Sequence, residues 1–166
     1  MACLLNLFIG FMLYITPTPV GNLEDITLRA VRLFKEAKAI INEDYRQNRK
    51  LLDLIEIENK PQFFDITRNQ NLNLSGIKKA LEIAHEDTVL LVSDAGTPVI
   101  SDPGRMVIEM AIESKVQYTT LPGATALIPS IVNSNIIQKE FHFMGFLPIK
   151  KGRKTSLEKI RDSNIP

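Results

Sequence analysis

The 166-residue sequence has few of the residues that build covalent or metal-based scaffolds. Its one cysteine is Cys3, which excludes an internal disulfide and a cysteine metal site. Its two histidines, His85 and His142, lie far apart in sequence without the spacing of a metal-binding pair, and we predict no metal centre. A chain without a disulfide framework is typical of the reducing cytoplasm, where we expect this protein to reside.

The sequence also lacks a strong net charge and a long apolar run. Lysine and arginine number 20 against 19 acidic residues, so any contact with nucleic acid must come from a local basic patch. Residues 1–12 are apolar, but a membrane span needs about twenty residues, and no cationic start or cleavage site indicates a signal peptide. We expect no membrane association, and we interpret residues 1–12 as an N-terminal extension with Met12 as the natural start.

Short apolar runs alternate with amphipathic segments, which predicts an α/β fold with a mostly parallel sheet. The predicted strands cover residues 13–16, 39–41, 62–66, 89–92 and 116–121, and the predicted helices cover residues 26–38, 75–85, 105–114 and 124–132. Asp25 is predicted to cap the first helix, while Asp102 and Pro103 are predicted to begin the helix at 105–114. Residues 67–73 are predicted to form a polar loop.

The pattern changes near residue 135. A linker at 133–138, a strand at 141–146 and a helix from Thr155 to the last residue are predicted there. One strand and one helix cannot bury a core, so we predict an α/β domain over 13–135 and an incomplete second α/β domain over 136–166.

The segment V-L-L-V-S-D-A-G-T-P-V-I-S-D-P-G, residues 89–104, carries the most information. Its apolar start predicts a strand buried on both faces, and residues 93–101 form a loop longer than the two to about six residues that a simple turn needs. Loops of small residues also follow two other predicted strands, at 16–22 and 122–125. Because parallel strands end at one edge of the sheet, the three loops are expected to meet there and bind a small polar ligand through backbone amides and hydroxyls.

Five segments resemble one known family. They are P-T-P-V-G-N-L-E-D-I-T-L-R-A (17–30), N-E-D-Y-R-Q-N-R-K-L-L (42–52), V-S-D-A-G-T-P-V-I-S-D-P-G (92–104), L-P-G-A-T-A-L (121–127) and F-M-G-F-L-P (143–148). In this order they resemble the ribosomal RNA small subunit methyltransferase I family of the tetrapyrrole methylase superfamily, over about residues 13–154.

The resemblance implies a two-domain α/β enzyme that uses S-adenosylmethionine to methylate a cytidine ribose 2′-hydroxyl in 16S ribosomal RNA of the small ribosomal subunit. By position it implies cofactor contacts at Val20, Ala95, Gly96, Thr97, Ile100, Thr125 and Ala126. We expect contacts with RNA phosphates from the basic residues, which are Arg46, Arg49, Lys50, Lys150, Lys151, Arg153 and Lys154. Homodimerisation stays open.

The catalytic residue is not assigned by the sequence. Loss of the hydroxyl proton would be helped by a general base, for which Glu43, Asp44 and Asp94 are candidates. For Glu43 and Asp44 the alternative is an ion pair with a neighbouring arginine, and for Asp94 it is a turn-capping role.

Two other functions compete with RNA methylation. One is methylation of a small tetrapyrrole by an enzyme of the same superfamily, against which the basic cluster at 150–154 argues. The other is a truncated, non-catalytic remnant that binds the cofactor or RNA, which the short second domain favours.

Overall fold

The structure, a computed structural model, describes residues 12–68, 71–136 and 139–163. The predicted N-terminal extension lies almost entirely outside the described residues, as do two residues of the predicted linker. The chain forms two compact units that divide between Thr125 and Ala126. This division into compact units does not test the domain boundary that the sequence predicts at residue 135, which stays a prediction.

The first unit contains seven strands and four α-helices among its described residues. In chain order these are β1 (Leu13–Ile15), α1 (Leu28–Glu36), β2 (Ala39–Asn42), α2 (Tyr45–Leu54), β3 (Gln62–Asp65), β4 (Thr67–Arg68), β5 (Asn71–Leu72), α3 (Leu74–Ile83), β6 (Val89–Leu91), α4 (Arg105–Glu113) and β7 (Tyr118–Thr120). A short 3-10 helix, Leu23–Asp25, precedes α1.

Five of these strands form one parallel sheet in the order β3-β2-β6-β1-β7. This arrangement confirms the predicted α/β class and the predicted parallel sheet. The strand β6 lies at its centre, and its residues Val89, Leu90 and Leu91 are fully buried. Burial on both faces explains why this strand reads as a continuous apolar run rather than an alternating one.

The two faces of the sheet are covered by different helices. Val89 and Leu91 pack in one apolar cluster with residues of α3 and α4, while Leu90 packs in the other with residues of α1 and α2. Fully burying such an apolar side chain stabilises the fold by about 1.5–3 kcal/mol. The double-sided core therefore holds the carboxyl ends of the central strands at a fixed edge.

Several local predictions were wrong, and hydrogen bonds explain why. Thr27, rather than Asp25, caps α1, because its Oγ1 accepts from the Ala30 N–H at 3.1 Å. The segment predicted as a polar loop forms the small antiparallel hairpin of β4 and β5. Gly104, rather than Asp102, is the N-cap residue of α4, and Pro103 lies outside that helix.

The second unit contains α5 (Leu127–Asn133) and α6 (Arg153–Arg161). The strand predicted at 141–146 does not form, since no other described segment of this unit is a strand that could pair with it. The helix predicted from Thr155 begins two residues earlier, at Arg153. Large apolar side chains remain exposed in this unit, including Phe146 at 85% and Ile149 at 89%. No helix among the described residues is long and apolar enough to span a membrane.

Candidate functional site

Three loops leave the carboxyl ends of adjacent strands: the first loop (16–22) follows β1, the central loop (93–101) follows β6, and the third loop (122–125) follows β7. Because β1 pairs with both β6 and β7 in parallel, the three loops emerge side by side. Their predicted convergence is therefore confirmed. Hydrogen bonds link the central loop to each of the other two loops.

The first and central loops are joined by a pair of backbone hydrogen bonds. The Thr18 N–H donates to the Gly96 carbonyl at 3.0 Å, and the Gly96 N–H donates to the Thr18 carbonyl at 2.9 Å. The buried Thr18 Oγ1 also donates to the Ser93 carbonyl at 3.1 Å, and Ser93 Oγ donates to the Gly96 carbonyl at the same distance. The two loops therefore behave as one rigid element.

The third loop contacts both of the others. Thr97 Oγ1 donates to the Ala124 carbonyl at 3.1 Å across the central and third loops. A Cβ added to Gly123 would lie 2.8 Å from Pro17 Cβ, so the third loop passes directly against the first. Only a glycine permits this approach without a shift of the backbone.

Gly96 lies at the junction of all three loops. Its φ is +83°, a left-handed conformation that glycine adopts without steric cost. A Cβ on Gly96 would lie 3.4 Å from Val20 Cγ2 and 3.8 Å from the Ala124 carbonyl oxygen. The surface there is lined with small groups, and two apolar side chains nearby along the loops, Val20 and Ile100, remain 37% and 49% exposed.

The central loop is fixed at its far end by Asp102, whose role the sequence did not reveal. The Asp102 carboxylate accepts from the Val99 N–H at 2.7 Å and from the Gly104 N–H at 2.8 Å. Val99 has a φ of +82°, which is unusual for a β-branched residue. The carboxylate therefore holds a strained bend, whereas the sequence pattern suggested an ordinary helix cap.

Carboxylates gather at the same sheet edge, where β2 and β6 end. Burial raises the pKa of Glu43, and the negative charges of Asp102 and Asp94 raise it further. Burial also raises the pKa of Asp94, with the charge of Asp44 adding to the effect. No group of three or more acidic, cysteine or histidine side chains in the described part of the chain could hold a metal ion.

Asp44 differs from these two carboxylates. Its side chain accepts from the Arg46 N–H at 2.8 Å and thereby caps α2. It also forms an ion pair with the Arg46 guanidinium at 2.7 Å, and this hydrogen-bonded pairing lowers the pKa of Asp44. Asp44 therefore has a structural role, the alternative that the sequence left open.

The shifted pKa of Glu43 predicts a specific pH dependence of stability. Because the folded protein binds the Glu43 proton more tightly than the unfolded chain does, stability falls as pH rises from the ordinary pKa of 4.5 through the raised one. Glu43→Gln should therefore unfold at a higher temperature than wild type near pH 7, and at a similar temperature near pH 4.

Thermal unfolding of both proteins across this pH range provides the measurement. Glu86→Gln, on an exposed residue that follows α3, is the control and should behave as wild type at every pH. A lower melting temperature for Glu43→Gln near neutral pH would contradict the prediction.

The predicted RNA-binding residues fall into two groups. In α2, Arg46 pairs with Asp44, and Arg49 pairs with Asp53 at 3.1 Å. Lys50 faces an open pocket beside the first loop, and it has no ion pair with any carboxylate that the structure describes. The four basic residues at 150–154 belong to the second unit, where Lys154 lies 4.0 Å from Glu158. Exposed ion pairs are worth little, so paired arginines can still reach phosphates.

Comparison with known proteins places these observations in a family context. The family model for Tetrapyrrole (Corrin/Porphyrin) Methylases matches residues 12–165. A protein of Hydrogenobaculum is 42% identical over 139 residues, covering 83% of this chain and 59% of its own length. One of Halalkalibacterium halodurans is 39% identical over 150 residues, covering 90% and 51%. One of Coprothermobacter proteolyticus is 38% identical over 156 residues, covering 93% and 69%.

All three relatives are named ribosomal RNA small subunit methyltransferase I. The chain spans about half the length of most of the curated relatives it matches. Among solved structures, uroporphyrin-III C-methyltransferase from Thermus thermophilus is similar with a TM-score of 0.52 at 24% identity, over 71% of this chain and 51% of that one. At this identity the likeness concerns the fold alone.

Proposed function

Because this chain belongs to the tetrapyrrole (corrin/porphyrin) methylase family, we propose that it is an S-adenosylmethionine-dependent methyltransferase. Its proposed reaction is transfer of a methyl group to the ribose 2′-hydroxyl of a cytidine in 16S ribosomal RNA. The small ribosomal subunit is the proposed partner and the cytoplasm the proposed location. The names of its relatives support this assignment, and the geometry at the sheet edge supports the cofactor.

The convergence of the three loops is the observation that carries the proposal. A site for a cofactor needs backbone that can approach closely, and the absence of side chains at Gly96 and Gly123 lets the three loops pack directly against one another. The residues that would hold S-adenosylmethionine are those predicted from the sequence, namely Val20, Ala95, Gly96, Thr97, Ile100, Thr125 and Ala126. Of these, Ala126 belongs to the second unit, and the other six belong to the first.

The charge of the site also fits this cofactor. S-adenosylmethionine supplies an electrophilic methyl group on a positively charged sulfur. Asp102 and Asp94 each lie close enough to Glu43 for their negative charges to raise its pKa. Negative charge at this edge favours a cation by Coulomb attraction, and positioning of the acceptor oxygen in line with the methyl group lowers the barrier.

Two carboxylates are better candidates than Asp44 for the general base. Asp44 is committed to Arg46 and to the α2 N-terminus, whereas Glu43 and Asp94 have raised pKa values. A carboxylate with a raised pKa is a stronger base once it is ionised. Either one would accept the proton of the ribose hydroxyl, while Arg46, Arg49, Lys50 and the cluster at 150–154 would contact phosphates.

Calorimetric titration with S-adenosylmethionine tests the cofactor assignment. The chain should bind it, and Gly96→Ala should weaken binding by about fivefold, because a Cβ at φ +83° is strained and narrows the junction. Gly145→Ala is the matched control. It has φ +69°, with nothing within 4 Å of the added Cβ, and should leave binding unchanged.

Absence of heat at millimolar cofactor would contradict the proposal and favour a non-catalytic remnant. Mapping of ribose methylation on undermethylated small subunits tests the reaction. Methylation of a tetrapyrrole in place of RNA would favour the small-molecule alternative.

A further inference from the structure

The open pocket beside the first loop lies at the same sheet edge, on the side of the sheet covered by α2. Its volume is about 330 Å³, near the lower end of the range typical of small-molecule sites. Residues of the first loop, the 3-10 helix and α2 line it, and Thr18 and Asp94 connect it to the three-loop junction. A group the size of one nucleoside fits this space, which adjoins the proposed cofactor loops.

Some of the apolar side chains that line this pocket are exposed to solvent and not buried in the core. In α2, Leu52 is fully buried in the core, whereas Leu54 is 56% exposed and faces the pocket together with Leu51. Leu23 of the 3-10 helix also lines the pocket and is 36% exposed. Apolar side chains contributed by both the 3-10 helix and α2 suit a flat ring, because contact with them removes the ring from water.

The polar groups at the pocket supply one strong acceptor and several donors. Asp94 contributes a carboxylate, while Lys50 contributes an ammonium group and Gln47 an amide. The Oδ1 of Asn22 already accepts from the Glu24 N–H at 3.1 Å, so its remaining group is the Nδ2 donor. A ligand that satisfies this set needs an amino group beside two acceptors.

Cytosine has that arrangement on one edge. Its N4 amino group would donate to the Asp94 carboxylate, as carboxylates accept from this amino group in nucleic-acid complexes. Its N3 and O2 would accept from the donors of the pocket. Uracil carries a carbonyl oxygen in place of the amino group, which would face the carboxylate lone pairs. Adenine offers an amino group with only one acceptor, N1, on the same edge, so it leaves a donor unpaired.

We propose that the pocket formed by the first loop and α2 binds the unstacked cytosine base of the acceptor nucleotide, with Asp94 determining specificity and Lys50 contributing affinity for the base in place of a phosphate contact. This inference rests on the proposed RNA methylation, because it identifies the base that accompanies the reacting ribose. A base must leave its stack to enter such a pocket, as in other enzymes that act on single nucleotides.

Nuclear magnetic resonance titration of the full chain with free nucleosides tests this binding without any reaction. Cytidine should shift the amide signals of Asn22, Gln47, Lys50 and Asp94, and it should bind about tenfold more tightly than uridine. Adenosine should bind more weakly than cytidine. No shift of these signals at about 10 mM cytidine would overturn the proposal.

Two variants separate specificity from other roles. Asp94→Asn should reduce the preference for cytidine over uridine to about twofold or less, because an amide can also donate to the uracil oxygen. Lys50→Ala should weaken both nucleosides by a similar factor of about five. The matched controls are Asp87→Asn and Lys79→Ala, which lie outside the pocket and should retain the wild-type preference.

Further results distinguish this proposal from other roles of the pocket and of Asp94. If inorganic phosphate alone produces the same shifts as cytidine, the pocket binds phosphate and the base assignment is wrong. If Asp94 acted only as a general base, Asp94→Asn would leave nucleoside preference unchanged, and that also overturns the proposal. A chain that binds S-adenosylmethionine but shows no cytidine preference would overturn this inference while leaving the proposed cofactor intact.

Discussion

Gly123→Ala is expected to weaken S-adenosylmethionine binding by about a hundredfold, because it drives the third loop away from the first. The added Cβ would lie 2.8 Å from Pro17 Cβ and 2.9 Å from Pro17 Cγ. Gly123 is not among the described residues with positive φ, so alanine fits the backbone conformation and the effect is purely steric. Pro17 is buried and its ring is stiff, so the backbone must move. Calorimetric titration with the cofactor measures the loss.

A second-site variant identifies the cause. Pro17→Gly removes the ring atoms of Pro17 that an alanine at 123 would meet, so the double variant should bind the cofactor more tightly than Gly123→Ala alone. If the double variant bound no better than the single one, the contact between the two loops would not be the reason. Unchanged binding by Gly123→Ala itself would remove the third loop from the proposed site.

Asp102→Ala is expected to lower the free energy of unfolding by about 3 kcal/mol, because two charge-assisted hydrogen bonds disappear together. The carboxylate accepts from the Val99 and Gly104 N–H groups at 2.7 and 2.8 Å. Without the Asp102 carboxylate, Val99 loses the hydrogen bond that holds its φ at +82°, a conformation that is costly for a β-branched residue. Chemical denaturation of wild type and variant measures the difference.

A second substitution, at the strained residue Val99, provides the control. In the Asp102→Ala background, Val99→Gly should cost less stability than it does in wild type, because glycine adopts a positive φ without the clamp. Asp87→Ala, on an aspartate that precedes β6, should change stability by less than about 0.5 kcal/mol. Equal effects of Val99→Gly in both backgrounds would show that the carboxylate does not hold the bend.

Much of this architecture could be predicted because the controlling signals are local. The apolar run at 89–92 needed no neighbour to indicate a buried strand, and loops of small residues after three parallel strands had to meet at one edge. The hydrogen bond between the central and third loops could not be predicted from local signals. Thr97 and Ala124 are distant in sequence, and no pattern pairs a threonine hydroxyl with a particular carbonyl oxygen.

The errors share a physical origin. Asp102 precedes a proline and a helix, which is the usual setting of a cap, yet its carboxylate accepts from the Val99 N–H as well as from the Gly104 N–H and thereby joins the loop to the helix start. The apolar segment at 141–146 has strand-like composition, but a strand forms only against a partner. The pocket beside α2 was missed, although Leu51, Leu52 and Leu54 cover more of the helix surface than one core-facing stripe requires.

The strand order has a consequence for how the chain folds during synthesis. Among the described strands, β1 pairs with β6 and β7 and with no other. A nascent chain that leaves the ribosome N-terminus first must therefore hold Leu13–Ile15 unpaired until Val89–Leu91 has emerged. During that interval the apolar strand β1 can pair with other exposed chain segments. Slower elongation between these two segments should therefore increase aggregation of the newly made protein.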